Sequence, residues 1–88
     1  MSNKRKLQSL AHVPVLHKAI ILDYLDEDIP VKLLEMGLLP GNEVFVKGQA
    51  ALKGALHVQV GSYSLALRLD EAVHILVDQV ESFDHLTT

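Results

Sequence analysis

Five histidines are the residues of this sequence that most directly suggest chemistry, because neutral imidazole is a common ligand for Fe²⁺ and Zn²⁺. No two of them form an H-x-H or H-E-x-x-H motif, and the chain has no cysteine to complete a zinc site. We therefore expect solvent-facing histidines and no metal or other cofactor. A metal site formed by histidines that the fold brings together from separate strands stays open as an alternative. The five stand at His12, His17, His57, His74 and His85.

The sequence gives little support to an acid–base, nucleophilic or phosphate-binding site. The run Asp26-Glu27-Asp28 could hold a cation or act as an acid–base pair, but consecutive carboxylates ahead of a helix are typical of groups that complement the helix dipole. The chain contains neither a G-x-S-x-G nucleophile elbow nor the G-x-x-x-x-G-K-[ST] pattern of a phosphate-binding loop. The sequence therefore predicts a protein that is not an enzyme.

Size and composition limit the class of protein further. A chain of 88 residues, 49 % of them hydrophobic, is enough for one domain with one core. No window approaches the ~18 unbroken apolar residues of a membrane span, and the basic start is followed by residues too polar for a signal peptide. The absence of cysteine agrees with a reducing compartment. We therefore expect a cytoplasmic protein.

The hydrophobic pattern predicts one short helix among several strands. Residues 29–36 form the helix, with Pro30 in its first turn and Gly37 closing it. Period-two alternation or continuous apolar character predicts strands over residues 16–25, 43–47, 56–60, 63–69 and 74–78. Asp70 is expected to cap a single helical turn before the last strand.

Two turns support this arrangement. Pro40 and Gly41 suit the centre of a type II turn, and Gly61 suits a tight hairpin between residues 60 and 63. Short antiparallel strands in so small a chain favour closure, because closure removes exposed edges. We predict a mostly β fold, a small SH3-like barrel of about five antiparallel strands with one short α-helix. It should span residues 7–78, between a flexible basic N-terminus (1–6) and a C-terminal tail (79–88).

The connection between residues 48 and 54 is unusual because its centre is apolar, whereas a hairpin tip is normally polar. Two interpretations stay open: the loop contacts a partner, or it folds back over the barrel mouth. Phe45 has the opposite parity to the apolar residues of its strand and could also face outward. The candidate partner-binding residues are Leu38, Leu39, Phe45, Leu52 and Lys53.

Two segments together resemble a known family. The stretch from Leu33 to Gly41 has the form L-x-x-M-G-hydrophobic-x-P-G, and the stretch from Gly61 to Arg68 has the form G-x-x-hydrophobic-x-hydrophobic-R. At this separation they resemble the FeoA family, ferrous iron transport protein A, over about residues 7–77. The motif positions are Met36, Gly37, Pro40, Gly41, Gly61 and Arg68.

The resemblance implies an SH3-like barrel and a role in iron homeostasis as a regulator. Family members are thought to bind the cytosolic part of a FeoB-type membrane GTPase and permease, so contact with the membrane would be through that partner alone. The domain is also similar to the C-terminal module of iron-dependent repressors, but this chain has no DNA-binding helix pair. It departs from the family at Val15 and at Asp26-Glu27-Asp28, where relatives often carry glycine or basic residues. Reversed charge there points to a different or co-varied partner surface.

The main alternative is a nucleic-acid or ribosome-binding domain. The stretch from Pro40 to Gly48 also resembles the KOW motif of SH3-like domains in ribosomal and transcription proteins. Such modules keep a basic rim, whereas eight basic residues stand here against eleven acidic ones, a net charge of −3. We therefore expect no nucleic-acid partner, and the sequence leaves a homo-oligomer open.

Overall fold

The chain folds as one antiparallel sheet with short helical segments at its ends. The computed structural model describes residues 5–25, 31–50 and 54–80. The elements, in chain order, are β1 (Arg5–Ser9), a 3₁₀ turn (Leu10–His12), β2 (Lys18–Tyr24), α1 (Val31–Glu35), β3 (Glu43–Ala50), β4 (Ala55–Val60), β5 (Tyr63–Arg68), α2 (Leu69–Ala72) and β6 (Ile75–Val80).

The six strands lie in the order β1-β6-β2-β3-β4-β5, and every neighbouring pair is antiparallel. The predicted mostly β, SH3-like class is confirmed. The sheet is not strictly closed, because no hydrogen-bonded ladder joins β1 to β5 within residues 5–25, 31–50 and 54–80. The prediction of about five strands omitted β1. Only one apolar residue, Leu7, marks that strand, and its partner β6 lies at the other end of the chain.

The core lies on the inner face of this curled sheet. Alternate residues of β4, namely Leu56, Val58 and Val60, are buried, as period-two burial predicts. They pack with inward residues of the other strands and with Leu10 of the 3₁₀ turn and Leu33 of α1 in a single cluster. One contiguous core therefore supports every element, as expected for a single small domain.

Three predicted glycine turns are confirmed by their backbone angles. Gly37 ends α1 at φ +103°, and Gly41 follows Pro40 at φ +96° in a turn closed by the Asn42 N–H, which donates to the Leu39 carbonyl at 3.0 Å. Gly61 has φ +59° in the two-residue turn between the paired residues Val60 and Tyr63. Glycine has no Cβ and adopts such angles without steric cost.

The predicted helix is present as α1, and residues 26–30, including Asp26-Glu27-Asp28, lie outside the described residues. The predicted cap at Asp70 is wrong. The helix α2 begins at Leu69, two residues earlier than a cap at Asp70 implies, and the carboxylate of Glu71 accepts the N–H of Arg68 at 3.1 Å. No helix in the described part of the chain is long and apolar enough to cross a membrane.

Candidate functional site

A surface concavity lies where the end of α1 meets the β4–β5 turn. We call it the helix groove; its volume is about 520 Å³. A second concavity of about 360 Å³, the strand groove, crosses the outer face of β2, β3 and β4. The helix groove is lined by Glu35, Met36, Gly37, Asn42, Glu43, Val60, Gly61, Ser62 and Tyr63, and the strand groove by Lys18, Glu43, Phe45, Gln59 and Gly61. The two grooves meet at Glu43 and Gly61.

Local structure holds the walls of the helix groove together. After α1 the chain reverses at Gly37, and the Leu38 N–H donates to the Leu33 carbonyl at 3.1 Å. The Asn42 side-chain amide donates to the Gly37 carbonyl at 2.7 Å and so ties the helix end to the segment that enters β3. On the opposite wall, the Gln59 amide donates to the Gly61 carbonyl at 3.2 Å. The groove is therefore built from hydrogen-bonded turns.

The strand groove follows from strand register. Lys18 of β2 lies opposite Phe45 of β3, and Phe45 lies opposite Gln59 of β4, so the three side chains form a row across the outer face. Phe45 is half-buried between its two longer polar neighbours. The aliphatic stem of a lysine can cover apolar surface beside it, so Lys18 can shield part of the Phe45 ring from water.

The charge around the grooves is unevenly distributed. Glu35 and Glu43 are both exposed and line the helix groove. Lys18 lines only the strand groove, which Glu43 lines as well. Within the described part of the chain, neither carboxylate forms an ion pair. The helix groove is therefore lined by two carboxylates and by no described cation, and it favours a cationic group.

The structure brings some of the predicted site residues together and separates others. Met36, Gly37 and Gly61 line the helix groove, and Phe45 forms the centre of the strand groove. Arg68 is exposed at the far end of the β4–β5 hairpin, where it lies opposite Ala55.

Leu38 and Leu39, both predicted as partner-binding residues, differ in burial. Leu38 is 0 % exposed and belongs to the core, so it is not available as a contact residue; the reversal at Gly37 turns its side chain inward. Leu39 is 43 % exposed, beside the exposed Pro40 and Gly41. Leu52 and Lys53 lie outside the described residues.

The histidines make local contacts where the structure describes them. His12 Nδ1 lies 3.3 Å from Ser9 Oγ, and His74 Nδ1 lies 3.1 Å from the Asp70 carbonyl oxygen. His57 is exposed on the polar side of β4, as predicted. Among the described residues, no three histidine, aspartate or glutamate side chains converge as metal ligands would. His85 lies outside them.

Comparison with solved structures identifies the class of the fold. The chain is similar to a zinc-complexed FeoA of Stenotrophomonas maltophilia, described as an SH3 domain protein, at 32 % identity and a TM-score of 0.69, covering 81 % of this chain and 89 % of that one. It is also similar to a FeoA-like protein of Clostridium acetobutylicum, at 26 % identity and a TM-score of 0.76 over 93 % of each chain. A manganese-dependent transcriptional repressor shares the fold alone, at 15 % identity, a TM-score of 0.75 and coverage of 86 % of this chain and 43 % of that one.

The sequence itself matches the family model of the FeoA domain over residues 8–79, nearly the whole of the folded part. The chain therefore belongs to the FeoA family, as its two motifs indicated. A comparison with curated proteins found no match. The Stenotrophomonas maltophilia FeoA is described in connection with the activation of bacterial ferrous iron transport.

Proposed function

We propose that this chain is a cytoplasmic accessory protein of ferrous iron uptake that binds the cytosolic part of a FeoB-type transporter and modulates its activity. The observation that carries the proposal is the family match over residues 8–79. The motif glycines at positions 37, 41 and 61 all have positive φ, which glycine adopts without steric cost, so these motif positions suit the backbone of this chain.

The surface of the domain supports a role in binding. The motif residues Met36, Gly37 and Gly61 converge on one groove although they come from separate segments. Residues that are brought together at an open concavity are well placed to contact a partner segment. Leu52 and Lys53, in the connection between β3 and β4, remain a second proposed contact of the same partner.

The test is ferrous iron uptake by cells from which the gene for this chain has been removed. We expect the rate of uptake of labelled Fe²⁺ to change, and to return to its original value when the wild-type chain is supplied. The Gly48→Ala variant should restore uptake equally, because a Cβ at position 48 meets no atom within 4 Å. An unchanged uptake rate in the deleted cells would argue that the chain acts elsewhere.

A further inference from the structure

The helix groove and the strand groove adjoin each other, because Glu43 and Gly61 line both, and we call the two together the channel. Their volumes of about 520 and 360 Å³ lie in the range of ligand-binding clefts. A channel that continues from the end of α1 across the outer face of the sheet is suited to an extended stretch of polypeptide, which would place successive side chains in successive parts of it.

The charges within the channel select the kind of side chain that each part accepts. In the helix groove, the exposed carboxylates of Glu35 and Glu43 have no ion-pair partner in the described part of the chain. A planar guanidinium or an ammonium group is the natural complement, because charge-assisted hydrogen bonds to carboxylates are among the strongest available at an interface. The strand groove, which has Lys18 at its edge, does not favour a cation in the same way.

Apolar surface lies beside these charges. Tyr63 is 52 % exposed at the rim of the helix groove, and Met36 and Val60 complete its wall. Phe45 forms the centre of the strand groove. Exposed tyrosine is typical of residues that dominate interface energetics, and a tyrosine ring can also stack on a bound guanidinium. The channel therefore offers a cation site followed by an apolar site.

The channel is formed before any partner binds. Both of its turns are held by side-chain amides: Asn42 donates to the Gly37 carbonyl at 2.7 Å, and Gln59 donates to the Gly61 carbonyl at 3.2 Å. A site that needs little ordering on binding loses less entropy, so a modest number of contacts suffices for measurable affinity.

From these observations we infer that the channel binds an extended segment of the partner protein that places a basic side chain between Glu35 and Glu43 and an adjacent apolar side chain against Phe45. The inference rests on the proposed function, since the segment is taken to belong to the cytosolic part of the transporter. It adds the location of the contact on this chain and the chemistry of the segment that is recognised.

The experiment is a titration of the full-length, ¹⁵N-labelled chain with the purified cytosolic region of the transporter, followed by NMR. Amide signals of Gly37, Asn42, Gly61 and Ser62 should shift most. The double variant Glu35→Gln/Glu43→Gln, which keeps side-chain size while removing both charges, should bind roughly tenfold more weakly. The affinity of the wild-type chain should also fall as salt is added.

Asp70→Asn is the matched control, because it removes one carboxylate at the start of α2. That site adjoins the Arg68 end of β5, about 17 Å along the strand from Tyr63 at ~3.3 Å per residue. Its affinity should stay within about twofold of wild type, as expected for a charge remote from the contact.

The outcomes separate the two proposals. Binding with shifts confined to other surfaces, and with no loss in the double variant, would overturn the channel as the contact and leave the proposed function standing. The absence of any binding by the wild-type chain would overturn both. Asp70→Asn removes one charge and the double variant removes two, so a loss of binding free energy in Asp70→Asn at least half as large as in the double variant would show that only net charge matters, and would also overturn the inference.

Discussion

Gly37 packs closely against Val60: a Cβ atom built on Gly37 would lie 3.1 Å from Cγ1 of Val60, a tighter contact than most Cβ atoms make. The contact joins the end of α1 to the last residue of β4 at the base of the helix groove. A motif glycine thus has two roles here, since its φ of +103° reverses the chain and its missing Cβ lets the helix end approach the sheet.

Replacing this glycine should therefore destabilise the fold. We expect Gly37→Ala to lower the free energy of unfolding by roughly 1–3 kcal/mol, because the variant combines positive φ with a Cβ that displaces Val60. Chemical denaturation measures the change. Gly48→Ala is the control: it meets no atom within 4 Å and has no positive φ, so we expect a change within about 0.5 kcal/mol. Equal effects of the two variants would contradict this account of Gly37.

A carboxylate inside α2 caps that helix from its third position. Because Glu71 accepts the Arg68 N–H at 3.1 Å, Glu71→Ala should cost about 1 kcal/mol of unfolding free energy. Glu71→Gln retains an acceptor oxygen and should lose less than half of that. Thermal or urea unfolding of both variants measures the two losses of stability. Equal losses in Glu71→Ala and Glu71→Gln would contradict the expectation.

The hydroxyl of Tyr24 is buried and has no hydrogen-bond partner among the described residues. Desolvation by burial raises the pKa of this phenol above its ordinary value. The unfolded chain therefore releases the proton first, so the stability associated with Tyr24 is complete below pH ~10 and is lost as the pH rises further.

Tyr24→Phe removes that buried hydroxyl. We expect the variant to be as stable as wild type or up to about 1 kcal/mol more stable at neutral pH, and the difference should widen above pH ~10. Urea unfolding at pH values on both sides of 10 measures it. Tyr63→Phe, which removes an exposed phenol, should show no such widening. A wild-type chain that loses no more stability than Tyr24→Phe at alkaline pH would refute the prediction.

The apolar loop between β3 and β4 offers a separate test of where the partner binds. If Leu52 is a contact residue, Leu52→Asp should weaken binding to the transporter's cytosolic region by on the order of 1 to 3 kcal/mol, with the free energy of unfolding unchanged. A variant that instead lowers the stability and leaves the affinity intact would assign Leu52 to the core. Calorimetric titration and denaturation of the same preparation distinguish the two results.

Turn glycines and the alternation of apolar residues along the strands made much of the fold predictable from the sequence. Gly37, Gly41 and Gly61 adopt the positive φ values that their turns require, and the alternation along β4 matches its burial residue by residue. These features depend on a few neighbouring residues. The strand β1 could not be predicted in the same way, since its hydrogen bonds go to β6 and its own pattern contains the single apolar residue Leu7.

The candidate site was less accessible from the sequence. Glu35 ends a helix, Glu43 begins a strand and Tyr63 begins another, and nothing in their local patterns indicates that they share a groove. The register that places Phe45 between Lys18 and Gln59 is likewise a property of three paired strands. The spacing of the motif glycines was the one available signal, because turns at positions 37 and 61 bring the two walls together.

The most direct test of the account is calorimetric titration of the wild-type chain into the purified cytosolic region of the proposed partner, a FeoB-type transporter, with and without guanine nucleotide. We predict saturable binding that weakens with added salt and falls roughly tenfold in the Glu35→Gln/Glu43→Gln variant. A titration that yields no binding in either nucleotide state would contradict the account.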